Sequence, residues 1–435
     1  MPLPAALRPA TIPPEILEVL RRLGQAGHRT WLVGGAVRDL LLGRGRADFD
    51  LATPATPQQV MALFRRVVPT GIAHGTVTVL LDEGHQVEVT TFRGEGAYLD
   101  GRRPESVTFH TDLVEDLARR DFTINALAFD PLAGELADPH GGQRDLSART
   151  IRAVGDPAAR FGEDGLRPLR AVRFAAQLGF ALEPRTQAAI REALPVVRKV
   201  SRERVCQELS RLVAAPHVAH ALELLDATGL LEVVLPPLAA LDEAARAHAG
   251  AMTAALPADP AAPWLRLAGL LHGVAAAEVG PLLDGLRFPR RTSDEAAALA
   301  ARHACLRDGP PEDPHAPPAV RRWLAGVGPA RAPALLALRE VEVATLPEEG
   351  RAGAARQERA LREQVEAALA SRAPLTTGAL ALDGQGLMAL LGCGPGPHVG
   401  EGLRALLDEV LDDPALNTPE ALGELARRWW AARSL

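Results

Sequence analysis

Residues 32–50 read LVGGAVRDLLLGRGRADFD and predict a strand, a glycine turn, a short helix and a second strand. The apolar residues up to Val33 are typical of a short buried strand. Gly34 and Gly35 then remove side chains where the chain turns, which allows backbone amides to approach a ligand closely. Arg38 follows in the first turn of the predicted helix. We therefore expect this turn to bind a phosphate group.

Two carboxylates follow on the second predicted strand. Asp48 and Asp50 are two residues apart, so their side chains point to the same face of the strand. They repel each other unless a divalent cation lies between them, and Mg2+ suits carboxylates together with phosphate oxygens. An ordinary glycine turn or a solvated acidic strand end would explain either half of the segment alone. Because both halves occur together, we expect a Mg2+ site for phosphoryl or nucleotidyl transfer, with Asp48 and Asp50 as the catalytic metal ligands.

Residues 32–50 also resemble motif A of the class II nucleotidyltransferases, the family of bacterial tRNA CCA-adding enzymes and poly(A) polymerases. That family's motif B, RRDFTINAL, is reproduced letter for letter at residues 119–127. The resemblance implies that Arg38 and Arg120 position a triphosphate together with the glycine turn, while Asp121 and Asn125 brace or bind the ribose side. The nucleotide-binding residues implied in this part of the chain are Gly34, Gly35, Arg38, Arg120, Asp121 and Asn125.

Motif B lies in residues 115–129, EDLARRDFTINALAF, whose apolar pattern predicts one continuous helix. Without the resemblance, the favoured interpretation is that the arginine pair lies on the solvent-exposed face of such a helix.

Glu88 lies in a β-branched run and alternates with Val87 and Val89, so it faces away from these apolar neighbours. Two interpretations stay open. Glu88 is either the third carboxylate that such polymerase-like sites often use as a catalytic base, or an exposed strand residue.

Residues 94–107, GEGAYLDGRRPESV, form a polar, glycine-rich connection of a length that is unusual unless it is functional. In the resembled family, EGxYxDxRxP is the flexible loop that helps to switch the site to accept ATP. Enzymes that add only cytidines lack it, so its presence here argues against a CC-adding enzyme.

Residues 163–174, EDGLRPLRAVRF, contain side chains that we expect to recognise the base of the nucleotide. Asp164 and Arg167 are three apart and would be neighbours on a helix. Aspartate only accepts hydrogen bonds and arginine only donates them. One such pair satisfies the amine and adjacent acceptor of cytosine or adenine, whereas uracil and guanine present the reverse pattern. The family's EDxxR amino-acid template matches these two residues, and Arg170 and Arg173, which continue the spacing, are further nucleotide-binding candidates.

The family usually has proline and methionine where this chain has Gly165 and Pro168. Pro168 is tolerated if the helix begins near Gly165, because amides in the first turn have no partner within the helix. A helix that began earlier would be kinked at Pro168.

The second half of the chain predicts helices almost throughout. Residues 201–214 form an amphipathic helix and resemble motif E, which supports the template helix. Gly273 follows His272 where longer family members carry a His-Asp phosphohydrolase doublet, so we predict no second active site. Residues 382–407 resemble the family's C-terminal segment, which contacts the tRNA elbow.

The composition of the chain excludes several kinds of surface and binding site. The net charge of −6 argues against a uniformly basic surface. Lys199 is the only lysine, which excludes a Walker-type phosphate loop. The three cysteines, Cys206, Cys305 and Cys393, lack zinc-site spacing. The sequence shows neither a signal-peptide pattern nor an apolar run of membrane-spanning length, so we expect a soluble cytoplasmic protein.

Together, these features predict an α/β head with a small antiparallel or mixed, nucleotidyltransferase-like sheet, followed by an all-α neck, body and tail. The expected bounds are 1–150 for the head with its metal site and 151–215 for the neck with the template. The body is expected at 216–345, and the tRNA-binding tail at 346–435.

The resemblance implies addition of nucleotides from CTP and ATP to the 3′ end of tRNA, with release of pyrophosphate and without a protein partner or a membrane. An enzyme that adds only the terminal adenosine would share every motif. A poly(A) polymerase is less favoured, because the last residues are too few and too mixed in charge for its basic extension. The intact Asp48 and Asp50 argue against a catalytically dead tRNA-binding protein.

Overall fold

The computed structural model describes residues 7–8, 11–44, 49–82, 85–95, 107–109, 111–307, 317–345, 348–371 and 373–433. The chain divides into two compact units, Met1–Ala240 and Leu241–Leu435. Asp48 and residues 96–106 of the predicted switching loop lie outside the described residues. No helix in the described part of the chain is both long enough and apolar enough to cross a membrane.

The described strands all lie in the first unit and are short. Their bounds are β1 Trp31–Val33, β2 Asp50–Thr53, β3 Val67–Gly71, β4 Thr76–Leu80, β5 Gln86–Thr91, β6 Arg93–Glu95, β7 Val107–Phe109, β8 Ala128–Asp130, β9 Glu135–Ala137, β10 Thr150–Ile151 and β11 Ala181–Leu182.

Seven of these strands form one sheet in the order β3-β4-β5-β2-β1-β8-β9. The β2–β5 pair is parallel and the other pairs of this sheet are antiparallel. The sheet is therefore mixed, and the predicted α/β head is confirmed. Its register places Val33 opposite Asp50, and Asp50 beside Glu88 on the next strand. Paired residues on neighbouring strands project to the same face, so both carboxylates lie on one side of the sheet near the glycine turn that follows β1.

The described part of the first unit holds thirteen α-helices, of which the second and third pack against strands of this sheet. Their bounds are α1 Pro14–Gln25, α2 Gly35–Leu41, α3 Pro57–Leu63, α4 Leu113–Ala118, α5 Gly142–Ser147, α6 Pro157–Glu163, α7 Arg167–Leu178, α8 Pro184–Glu192, α9 Leu194–Val197, α10 Arg202–Val213, α11 Val218–Ala227, α12 Leu230–Val234 and α13 Pro236–Ala239.

In the second unit, every described element is helical, as predicted. The α-helices are α14 Glu243–Ala255, α15 Pro263–Leu271, α16 Ala276–Gly285, α17 Arg290–Arg307, α18 Pro317–Val327, α19 Ala332–Thr345, α20 Glu348–Ala370, α21 Gly384–Leu391, α22 Pro397–Asp412 and α23 Pro419–Arg433. Three apolar clusters in this unit include Met252, Val320 and Leu387, respectively. The four-part division into head, neck, body and tail remains a prediction.

The single helix predicted over residues 115–129 is wrong. The chain leaves α4 after Ala118, is extended at Phe122 and then enters β8. The reason is strand pairing, because Phe129 lies opposite Leu32 of β1. The apolar residues at 117, 122, 124, 127 and 129 are nevertheless all fully buried.

The link between α6 and α7 decides how Pro168 is accommodated. Asp164 has an extended backbone after the end of α6, and α7 begins at Arg167. Pro168 therefore occupies the first turn of α7, where its missing N–H group costs no helix hydrogen bond. Between them, Gly165 packs against the backbone of α9, because a Cβ at this position would lie 2.7 Å from the carbonyl oxygen of Val196.

Gly165→Ala is expected to lower the free energy of unfolding by about 1–3 kcal/mol, the range for overpacking a buried contact. Gly162→Ala is the matched control, since nothing lies within 4 Å of a Cβ placed at this position in α6. Alanine there should leave stability unchanged or raise it by up to about 1 kcal/mol, because alanine favours helix. Urea unfolding of both variants measures the difference, and equal stability would contradict the close packing at Gly165.

Candidate active site

A cavity of about 510 Å3 in the first unit collects most of the residues that the sequence predicted. The predicted residues that line it are Gly34, Gly35, Arg38, Asp50, Arg120, Asp121, Asn125, Arg170 and Arg173. Four unpredicted residues, Asp39, Phe174, Gln177 and Arg211, line it as well. Five arginines and three aspartates thus face the cavity. This surplus of positive charge suits an anionic ligand.

The glycine turn forms one wall of the cavity. Gly34 has a φ of 69°, a left-handed conformation that favours glycine. A Cβ at Gly34 would lie only 2.7 Å from Nη1 of Arg120. The guanidinium of Arg120 therefore rests directly against the turn, in space that any other residue at position 34 would fill.

Arg120 is held by a buried carboxylate. Asp116 is fully buried and accepts hydrogen bonds from Arg119 at 2.7 Å and from Arg120 at 3.4 Å. Burial lowers the pKa of Arg120, while the negative charges of Asp116 and Asp50 oppose that shift. Asp50 therefore lies close enough to Arg120 for the two charges to interact.

A chain of hydrogen bonds crosses the floor of the cavity. Arg38 donates to Oδ1 of Asn125 at 2.7 Å, and Nδ2 of Asn125 donates to Oδ1 of Asp121 at 3.0 Å. The other carboxylate oxygen of Asp121 accepts from Nε and Nη2 of Arg170 at 2.9 and 2.6 Å. The glycine-turn helix α2, motif B and helix α7 are therefore joined through side chains.

Asp121 is ionised at neutral pH although it is buried. Burial raises the pKa of its carboxyl group, but the positive charge of Arg170 and the hydrogen bonds from Asn125 and Arg170 outweigh burial and hold the pKa at about 2. Asp121 is thus a fixed negative charge that orients Arg170.

A third buried carboxylate, Glu208 of α10, holds Arg173 and contacts Arg170, both of α7. Its two oxygens accept from Arg173 and, at 3.5 Å, from Arg170, and Arg211 lies 3.8 Å away. The Phe174 ring packs beneath the guanidinium of Arg173, whose Cζ lies 3.9 Å from the ring centroid. These contacts fix the direction of each guanidinium group.

The carboxylates beside the glycine turn fit a hard cation. Asp50 lines the cavity, and Glu88 is the exposed neighbour of Asp50 on the same face of the sheet. Carboxylate oxygens of this kind are the ligands that Mg2+ prefers. Because Asp48 lies outside the described residues, the complete ligand set remains a prediction, as does the catalytic role of Glu88.

The structure does not bring Asp164 and Arg167 together as helix neighbours. Asp164 precedes α7, and its Oδ2 accepts from Nη2 of Arg204 at 2.7 Å. Arg167 donates instead to Glu163 and to the carbonyl oxygen of Arg119, the latter at 3.0 Å. Neither residue is among the described residues that line the cavity. The expectation that one helix presents both side chains is wrong, while their role as base readers remains a prediction.

Helical spacing would have identified two of the missed residues. Phe174 and Gln177 lie four and seven positions after Arg170 and so share its face of α7. No local pattern distinguishes Glu208 from other acidic residues of an amphipathic helix, because its role arises from packing of α10 against α7.

Two family models match within residues 30–241. Residues 30–152 match the poly A polymerase head domain. Residues 179–241 match a model described as the probable RNA and SrmB-binding site of polymerase A.

Relatives match over nearly the whole chain. The CCA-adding enzyme of Geobacillus thermodenitrificans is 40% identical over 413 residues, which is 94% of this chain and 95% of that enzyme. The crystal structure of the Bacillus stearothermophilus CCA-adding enzyme in complex with CTP superposes with a TM-score of 0.78 at 36% identity, covering 97% of this chain and 99% of that one.

A tRNA nucleotidyltransferase complexed with a primer tRNA and an incoming ATP analog is similar with a TM-score of 0.60 at 25% identity. The match covers 79% of this chain and 98% of that tRNA nucleotidyltransferase. The chain is 40% identical to a relative over 95% of that relative's length. This identity and the structural similarities agree with the sequence motifs whose residues line the cavity. The chain therefore belongs to the family of the CCA-adding enzymes, the class II nucleotidyltransferases whose head domain is shared with poly(A) polymerases.

Proposed function

We propose that this protein adds nucleotides from CTP and ATP to the 3′ end of tRNA, building or repairing the terminal CCA and releasing pyrophosphate. The observation that carries this proposal is the similarity to CCA-adding enzymes over 94% of the chain. A structural relative with CTP bound and another with primer tRNA and an ATP analog support both classes of substrate. We expect the protein to act in the cytoplasm.

In the proposed reaction, the 3′ oxygen of tRNA attacks the α-phosphorus of the nucleotide. The bond from this phosphorus to the oxygen that bridges to the β-phosphate breaks, and pyrophosphate leaves. When bound, Mg2+ would lower the pKa of the attacking hydroxyl group and stabilise charge on the leaving phosphates. Asp48 and Asp50 would hold this ion, and Glu88, which pairs with Asp50 on the neighbouring strand, would be a candidate acceptor of the hydroxyl proton.

The arginines would position the triphosphate. Arg38 and Arg120 flank the glycine turn, where their charge complements phosphate oxygens. Asn125 and Asp121 would bind the ribose side, since they lie between Arg38 and Arg170 on the cavity floor. Asp164 and Arg167 would read the base through their acceptor and donor groups.

The proposal is tested by incubating the protein with tRNAs that end before, within and after the CC sequence, supplying CTP or ATP alone. A CCA-adding enzyme extends the first two with CTP, and the tRNA that ends in CC with ATP. Extension only by ATP on the CC-ending tRNA would identify an A-adding enzyme. Long adenosine tails would indicate a poly(A) polymerase, and no product from any substrate would contradict the proposal.

Asp50→Ala is expected to reduce nucleotide addition by about 10²-fold or more, because stabilisation of transition-state charge contributes several kcal/mol. The matched control is Asp82→Ala, an exposed acidic position of the same unit, which should leave activity unchanged. Single-turnover rates with CTP measure both. Near-normal turnover by Asp50→Ala would remove the metal-site interpretation.

Glu88→Gln decides between the two interpretations of that residue in the same assay. A large loss of rate that is relieved as pH rises would support a base, whereas an unchanged rate would assign Glu88 to an exposed strand position.

Asp164→Ala is expected to let UTP or GTP compete with CTP and ATP, because the amine of cytosine or adenine loses its acceptor. The loss of discrimination should be about 1–3 kcal/mol, as for other paired base contacts. Arg120→Ala should instead weaken all four nucleotides alike, because a phosphate contact carries no base information. Relative incorporation of the four triphosphates is the measurement. An unchanged preference in Asp164→Ala would mean that the base is read elsewhere.

A further inference from the structure

Among the described arginines that line the cavity, Arg211 is the most exposed. It lies in the last turn of α10 and reaches the cavity from that helix. Its side chain is 60% exposed, whereas those of Arg38, Arg120, Arg170 and Arg173 are at most 29% exposed. Arg211 therefore lies at the rim of the cavity, and the other four arginines lie deeper.

The deeper arginines are hydrogen-bonded to fixed partners, whereas Arg211 is held loosely. Arg170 donates to Asp121 at 2.6 Å, and Arg173 donates to Glu208. The ion pair of Arg211 with Oε1 of Glu208 is 3.8 Å long, which is beyond the range of a hydrogen bond. The guanidinium group of Arg211 can therefore turn toward an incoming ligand without breaking a short contact.

The charges at this end of the cavity are not balanced. Three arginines, Arg170, Arg173 and Arg211, contact two buried carboxylates, Asp121 and Glu208. Three positive charges thus face two negative ones, which leaves a surplus of one positive charge. Because Arg170 and Arg173 make the closer contacts with the carboxylates, this surplus lies at Arg211 on the rim. A positive charge in this place attracts an anionic group that approaches from solvent.

The proposed reaction brings two anionic ligands to the cavity. We expect the triphosphate at the glycine turn, where Arg38 and Arg120 lie. The 3′ end of the tRNA enters from solvent, so its sugar–phosphate backbone must cross the rim before its hydroxyl group reaches the α-phosphorus. Arginine and lysine side chains neutralise such backbone phosphates without reading the sequence.

We propose that Arg211 binds a backbone phosphate among the last nucleotides of the tRNA primer. The inference rests on the proposed function, because it requires tRNA to be the primer. A purely structural role is the alternative, since an arginine in the last turn of a helix interacts favourably with the carbonyl end of that helix. That role predicts altered stability and an unaltered affinity for tRNA, so affinity measurements separate the two.

The first experiment measures the Kd of a tRNA that ends in CC over a range of salt concentrations. Arg211→Gln should weaken binding about threefold, as expected for an exposed ion contact. The slope of log Kd against log salt should become shallower by about 0.7, the value for one single-stranded phosphate. Arg211→Lys keeps the charge and should retain most of the affinity. The Kd of CTP alone should stay unchanged in both variants.

Arg21→Gln is the matched control. Arg21 is exposed on α1, its substitution removes the same charge, and it is not among the described residues that line the cavity. Its affinity for tRNA should equal that of the wild type. An equal loss in this control, or an unchanged affinity for tRNA in Arg211→Gln, would overturn the inference. Weakened binding of CTP with unaltered binding of tRNA would assign Arg211 to the triphosphate and would also overturn it.

A modified primer identifies the phosphate. A methylphosphonate replaces one charged oxygen of a linkage by an uncharged methyl group, and it is introduced at each of the last three linkages in turn. At the linkage that Arg211 contacts, the wild type should lose about the same factor in affinity as Arg211→Gln, and the variant should lose nothing further. Losses that multiply at every linkage would overturn the inference.

Failure of the proposed function gives a different result. A wild-type protein that adds neither cytidine nor adenosine to tRNA would contradict that function before any variant is compared. Normal addition by the wild type, together with an unchanged affinity for tRNA in Arg211→Gln, would contradict the inference alone.

Discussion

The ion pair between Asp121 and Arg170 is the contact on which the cavity depends. Asp121 belongs to motif B, which follows α4, whereas Arg170 lies on α7, so the pair joins the sheet-based part of the first unit to the helices that follow. Both oxygens of Asp121 are used, because Asn125 and Arg170 bond to opposite sides of the carboxylate. Loss of Arg170 would remove the main counter-charge of the buried Asp121, which is strongly destabilising.

The pairing of a buried carboxylate with arginines recurs around the cavity. Buried carboxylates at Asp116, Asp121 and Glu208 each hold one or more arginines from neighbouring segments. An arginine held in this way has a fixed direction and retains N–H groups for another partner, because its guanidinium carries five donors. The cavity can therefore present organised positive charge to a triphosphate with little reordering of side chains when the ligand binds.

Much of this site could be predicted from the sequence where the signal was local. The strand and glycine turn around Gly34 lie where the sequence predicted them, because a short segment determines them. Arg120, Asp121 and Asn125 of motif B line the cavity, although their predicted helix is wrong. The predicted helix over 115–129 failed since pairing of Phe129 with β1 is non-local. Asp164 was expected on a helix, but Gly165 follows it and must fit against Val196, a contact that no spacing rule contains. Glu208 was missed for the same reason.

The central claim is that the Asp121–Arg170 pair organises the nucleotide cavity, and a double-mutant cycle on CTP affinity tests it most directly. Calorimetry would compare the wild type with Asp121→Asn, Arg170→Met and the double variant. If the residues act as a unit, each single variant weakens CTP binding and the double variant is no weaker than the weaker single one. Single variants that bind CTP like the wild type, or losses that multiply in the double variant, would contradict this account.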